Sequence, residues 1–129
     1  MSTMIDHVSI GVGNLTRSKA FYDAVFAPLG YTCQSTGDTY LGYGTPQHTQ
    51  LWLLASSRPV PADPNSGLHF CLRAPSRASV AAFHAAALEQ GGRDNGKPGL
   101  RADYGSNYYA AFVIDPDGYR MEAYCSEAQ

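Results

Sequence analysis

Hydrophobic and polar residues alternate along the opening stretch "MIDHVSIGV", Met4 to Val12. Val8, Ile10 and Val12 point one way, with Asp6 on their side, while His7 and Ser9 point the other. A period of two is the mark of a strand with one buried face. The alternation returns in "GLHFCLRA", where Leu68, Phe70 and Leu72 alternate with His69, Cys71 and Arg73. After each of these stretches the period lengthens. Phe21, Val25 and Leu29 recur every four residues and predict a helix from Asn14, a good N-cap, to about Leu29, closed by Gly30. Val80, Phe83, Ala87 and Leu88 predict a second helix from Ser76 to about Gln90, ended by Gly91-Gly92.

Strand-like sequence follows each helix. In the first half these runs are Tyr31 to Ser35, Thr39 to Tyr43 and Thr49 to Ala55. In the second half they are a weak run within Arg93 to Arg101, then Tyr108 to Ile114 and Tyr119 to Cys125. The last two are joined by "DPDG", Asp115 to Gly118, a strong turn signal. Laying His7 over His69, a shift of 62, matches the two halves without a gap, and Phe21 meets Phe83 while Gly30 meets Gly92. The prediction is one α+β domain over residues 1–129, built from two βαβββ modules. The first covers about 4–55 and the second about 67–126, with a linker at 56–66 stiffened by three prolines. The helices cover one face of the sheets, and the other faces, side by side, curl into a cup.

Parity then sorts the side chains. His7 and Ser9 from one strand, His69, Cys71 and Arg73 from its counterpart, and Arg120, Glu122 and Tyr124 from the last strand face the cup. In "TQLWLLA", Leu51 and Leu53 face the helix and leave Gln50, Trp52 and Leu54 inward. Two histidines and one carboxylate from three strands thus converge on one hollow. A buried charge needs a partner or a metal. An N2O set of this kind suits Zn, Ni, Mn or Fe(II) and leaves positions open for water or substrate.

Composition narrows the partners. Of 129 residues, 44% are hydrophobic and 16% charged, enough for a packed core. Net charge is -2 with no basic stripe, so nucleic acid is not an expected partner. No apolar stretch is long enough to span a bilayer, and the N-terminus does not read as a secretory signal. Three cysteines without a CxxC pair favour a reduced, cytoplasmic protein. Among nine tyrosines, Tyr124 and one of Tyr108 or Tyr109 are the best candidates to line a pocket for a small, partly apolar molecule. Arg101 or Arg73 is a candidate to hold a substrate carboxylate, Cys71 a candidate lining thiol, and "GLRADYGSNYY", Gly99 to Tyr109, either a lid or an ordinary connection. His48 and His84 read as surface residues.

The opening strand with its histidine, the "S-x-x-FY" of Ser18 to Tyr22, and "DPDG-Y-x-x-E" from Asp115 to Glu122 resemble the vicinal oxygen chelate superfamily. That group includes glyoxalase I, extradiol dioxygenases, fosfomycin-resistance thiol transferases, methylmalonyl-CoA epimerase and bleomycin-binding proteins. The resemblance implies an open, barrel-like cup around one divalent ion per site, with His7, His69 and Glu122 as ligands, and a homodimer. In some members one site draws ligands from two chains. Glyoxalase I carries a second glutamate on the last strand of the first module. Here that strand offers Gln50 or Trp52, and neither can act as a base, so classical glyoxalase I activity is not expected. Two readings follow from the resemblance. One is a metal-dependent lyase, isomerase or dioxygenase with Glu122 in the catalytic centre. The other is a non-catalytic small-molecule binder of the bleomycin-resistance type.

Overall fold

Each half of the chain builds its own four-stranded mixed sheet. The computed structural model describes residues 4–60 and 63–126, so Pro61 and Ala62 of the linker lie outside the described residues. The first half runs β1 (Val8–Val12), α1 (Leu15–Phe26), β2 (Thr32–Thr36), β3 (Tyr40–Thr45) and β4 (His48–Ala55). The second runs β5 (Phe70–Arg73), α2 (Arg77–Glu89), β6 (Arg93–Leu100), β7 (Tyr109–Ile114) and β8 (Arg120–Cys125). Strand orders are β1-β4-β3-β2 and β5-β8-β7-β6, with the first pair of each sheet parallel and the others antiparallel. The α+β architecture and the doubled element order are those the hydrophobic pattern predicts.

Local chemistry sets the helix ends. The Asn14 side chain accepts from the Arg17 amide at 3.0 Å, and α1 tightens into a 3-10 turn over Ala27–Leu29. Gly30 follows at φ +88°, a conformation that costs glycine little. Ser76 and Ser79 exchange hydrogen bonds as a capping box at the start of α2. On the strands, Ile10, Val12, Leu51, Leu53, Met121, Ala123 and Cys125 are buried under the helices, as parity requires. Burying each of the larger ones contributes roughly 1.5–3 kcal/mol. Pro98 is accommodated because β6 is an edge strand with irregular register.

A single apolar cluster runs through both halves, with α1 packed on α2. The polar junction between the halves is made at the stretches that carry the family resemblance. Asp115 accepts from the amides of Asp117 and Tyr119 at 2.9 and 2.8 Å, and from the Tyr22 hydroxyl at 2.5 Å. Asp117 accepts from the Gly13 amide and the Arg17 guanidinium, each at 3.0 Å. Tyr119 donates to the Gly11 carbonyl at 2.7 Å. The turn after β7 therefore clamps the start of α1.

Two helix-face expectations are corrected. Leu88 is 46% exposed, whereas His84 is only 8% exposed and lies 2.8 Å from Asp94. At about 100° per residue, Leu88 sits roughly 110° from the centre of the Val80, Phe83 and Ala87 stripe, against roughly 70° for His84. The histidine takes the buried position because Asp94 on β6 satisfies its ring.

Candidate functional site

Parallel pairing of β5 with β8 puts Cys71 opposite Glu122, and β7 puts Phe112 opposite Glu122 on the other side. Glu122 is thus at the centre of its sheet, on the face away from the helices, with only 3% of its surface exposed. Both carboxylate oxygens are engaged. Oε1 lies 3.0 Å from His69 Nε2, and Oε2 accepts from the Tyr108 hydroxyl at 2.5 Å. The Tyr108 ring stacks on Tyr124 with centroids 4.8 Å apart, and Tyr104 meets Tyr108 edge-on. The Cys71 sulfur is 3.9 Å from the Tyr108 oxygen. Burial, and then the Glu122 charge, push the Cys71 thiol up to about 12. Burial and the bond to Glu122 likewise hold the Tyr108 phenol well above its ordinary value. Both groups are protonated at neutral pH, so Tyr108 is a donor to the carboxylate and Cys71 is no thiolate nucleophile.

His7 stands apart from this cluster. Its Nδ1 lies 2.7 Å from Asp6 Oδ2, and the other oxygen of Asp6 is 3.1 Å from His48 Nε2. His48 opens β4 and is half-buried, not in a solvent loop. Among the described residues, no three histidine, cysteine, aspartate or glutamate side chains are gathered to hold an ion. His7 and His69 do share the wall of a cavity of about 460 Å3 between β1–β4 and β5–β8. Gln50, Cys71, Arg73 and Tyr124 line it too, with Tyr31 from the segment after α1.

The register also decides between Gln50 and Trp52. Ser9 pairs with Trp52 as Cys71 pairs with Glu122, and Gly42 pairs with Trp52 as Phe112 pairs with Glu122. Trp52 therefore occupies the counterpart of the Glu122 position, where an indole ligates nothing. Its ring lies so close to Gly42 that a Cβ there would be 2.7 Å away. Ser9 is exposed beside it.

Two other expected lining residues lie elsewhere. Tyr109 pairs with buried Cys125, packs on the core and lies 5.2 Å under the Arg77 guanidinium, so of the two tyrosines it is Tyr108 that faces the site. Arg101 donates to the Lys97 and Gly99 carbonyls at 2.7 and 2.9 Å and covers the Phe112 ring, which ties it to its own strand. Asp6, Tyr31 and Phe112 escaped the sequence reading. Asp6 and Phe112 were within its reach, since Asp6 adjoins His7 and Phe112 shares the parity of Glu122.

Comparison with known proteins agrees with this fold. The family model described as the Glyoxalase/Bleomycin resistance protein/Dioxygenase superfamily matches residues 4–123. No curated protein matches the chain. A glyoxalase/bleomycin resistance protein from Albidiferax ferrireducens T118 is similar at 32% identity and TM-score 0.81, over 95% of this chain and 98% of that one. A glyoxalase-related enzyme from Fulvimarina pelagi is 18% identical, with TM-score 0.73 over 95% and 88% of the two chains. The genomically encoded fosfomycin resistance protein of Listeria monocytogenes shares the fold at 13% identity, with TM-score 0.69 over 96% and 93%.

Proposed function

The chain belongs to the glyoxalase/bleomycin resistance protein/dioxygenase superfamily, and from that premise we propose that it is a divalent-metal-dependent enzyme acting on a small oxygen-bearing molecule. The observation that carries this reading is the imidazole nitrogen of His69 facing the buried carboxylate of Glu122 across 3.0 Å. A nitrogen and an oxygen so placed fit a divalent ion once the proton between them is displaced. His69 and Glu122 hold the ion, and His7 is the third ligand. Because no three donors gather among the described residues of one chain, His7 comes from a second copy in a homodimer. The ion is one per site and drawn from Zn, Ni, Mn or Fe. When bound, it supplies Lewis acidity toward substrate oxygens.

The chain's own residues define the rest. Tyr108 holds Oε2 of Glu122 and leaves Oε1 to the His69 side. Trp52 takes the place of a second carboxylate, so a glutamate base of the glyoxalase I kind is missing. Lyase, isomerase and dioxygenase chemistry remain the candidate reactions. Three free cysteines among the described residues suit the reducing cytoplasm we assign.

Metal analysis on deliberately mixed dimers tests this. His7→Ala and Glu122→Ala chains each lose bound metal alone. Heterodimers isolated from the mixture regain about half of it, since one of their two sites then combines intact ligands from both chains. No recovery would place all three ligands in one chain, and undiminished metal in the single variants would remove the site.

A second reading is a small-molecule binder without chemistry, favoured by the 460 Å3 cavity beside the site. In that case His69→Ala leaves ligand affinity unchanged and supplemented protein stays free of metal.

A further inference from the structure

The cavity between β1–β4 and β5–β8 has an unbalanced charge inventory. Its lining includes one carboxylate, Asp6, and one guanidinium, Arg73. Asp6 already faces His7 and His48 at 2.7 and 3.1 Å. Arg73 makes no ion pair among the described residues, although acidic side chains pair with Arg17, Lys19 and all four histidines. Among the described residues its guanidinium donates only to the Tyr124 hydroxyl, at a long 3.4 Å, and stands 5.9 Å from that ring's centroid. The strand that carries it is pinned, because the Tyr31 hydroxyl donates to the Arg73 carbonyl at 2.8 Å. Tyr31 adds no negative charge, since burial raises its pKa.

The surroundings are aromatic and aliphatic. Tyr31, Phe70, Leu72, Met121 and Tyr124 share the wall with Arg73. A rigid fork of donors beside aromatic faces, with no acid to answer it, suits a planar anion carried on an apolar body. We propose that Arg73 anchors the carboxylate of a small organic acid with an aromatic or aliphatic body, and that such acids are the molecules this cavity takes. The proposal deepens the enzymatic reading and rests on it for the fate of the far end of the molecule. Cys71, two residues back along the same strand, pairs with Glu122, so the anchor sits roughly 7 Å along the sheet from the Glu122 position and roughly 13 Å from the His69 position. An acid held at Arg73 by one end reaches His69 and Glu122 with the other only if a short body separates its two ends. This favours arylalkanoic or medium-chain acids over oxalate-sized ones.

Calorimetric titration tests the anchor. Phenylacetate, 3-phenylpropanoate, 4-phenylbutanoate and hexanoate are each compared with the corresponding neutral amide, on the full-length protein with and without added divalent metal. At least one acid is expected to bind ten times more tightly than its amide. Arg73→Gln should abolish that preference, Arg73→Lys should keep part of it, and Arg93→Gln on the exposed edge strand should leave it intact. Equal affinities for acid and amide throughout, no binding of any acid, or a preference that survives Arg73→Gln each overturn the proposal. Metal binding measured on the same wild-type protein separates the two readings. An acid preference in a wild type that binds no added metal sinks the enzymatic reading and spares the anchor. Metal binding by wild type without any acid preference does the reverse.

Discussion

The two halves of this chain share a scaffold and differ in what they put on it. At matched register, the first sheet carries Trp52 over Gly42 where the second carries Glu122 beside Phe112. Along the helices, Tyr22 lies at the position of His84, again offset by 62. Tyr22 is fully buried and reaches across the junction to Asp115, whereas His84 turns back to Asp94 of its own module. A repeat unit tolerates such divergence because its fold depends on the apolar stripe and the caps, which both halves keep. The polar positions are then free to specialise, one half toward holding the modules together and the other toward a donor pair.

The largest expected effect tests that division of labour. Asp115→Ala leaves the buried Tyr22 hydroxyl and the amides of Asp117 and Tyr119 without their acceptor. At about 1–3 kcal/mol for each unsatisfied buried group, the loss should be about 3 kcal/mol or more. Asp94→Ala removes one exposed partner of His84 and should cost clearly less. Urea unfolding of the two variants measures the difference. Equal costs would mean that the junction between halves is no stronger than a contact within one of them.

A smaller effect tests the asymmetry of the outer faces. Tyr108→Phe removes the donor to Glu122 Oε2 and keeps the ring that stacks on Tyr124. Partners that orient a metal ligand are worth about 10–100-fold in metal affinity, and a loss in that range is expected. Tyr40→Phe, beside Trp52 on the first sheet, should leave metal affinity where it is. Metal titration with unfolding controls on both variants decides it. Comparable losses would mean that the first sheet's outer face also serves the site.

How much of this was legible follows from the kind of signal involved. Periods of two and of about 3.6, together with turn signals, placed most of the strands and both helices to within a few residues, because burial acts on every second or every third to fourth side chain. The same parity put His69, Cys71, Glu122 and Tyr124 on one face. What it did not decide was tertiary pairing. Tyr108 and Tyr109 are neighbours, and only the pairing of Tyr109 with Cys125 shows which of them faces the helix. Arg101 and Arg73 are both arginines near strand ends, and only the bonds of Arg101 to its own strand's carbonyls take it out of the cavity. His84 was misread because its partner, Asp94, is ten residues away on an edge strand too irregular to show a pattern. Trp52 became the counterpart of Glu122 only through strand register, since both faces of "TQLWLLA" are apolar.

The smallest expected effect is one of sign, and it separates the carboxylates that answer Tyr22 and His84. Asp94 is exposed, and its bonds to His84 and the Gly96 amide hold its pKa below the ordinary value. Its contribution is therefore present above the unfolded-state pKa, near 3.9, and fades as pH falls through the lower folded value. Asp115 is the opposite case. Burial raises its pKa, against the donors Tyr22, Tyr119 and Asp117 that favour the ionised form. The folded state binds that proton more readily than the unfolded chain, so the penalty of burying the charge is relieved as pH falls through the raised value. Stability measured against Asp94→Asn should thus shrink between pH 7 and pH 3, and stability measured against Asp115→Asn should grow. Parallel urea titrations across that range read both slopes. Slopes of the same sign would mean that Asp115 is held chiefly by its three donors and not by desolvation, and the junction would then be an ordinary charged clamp like the one around Asp117.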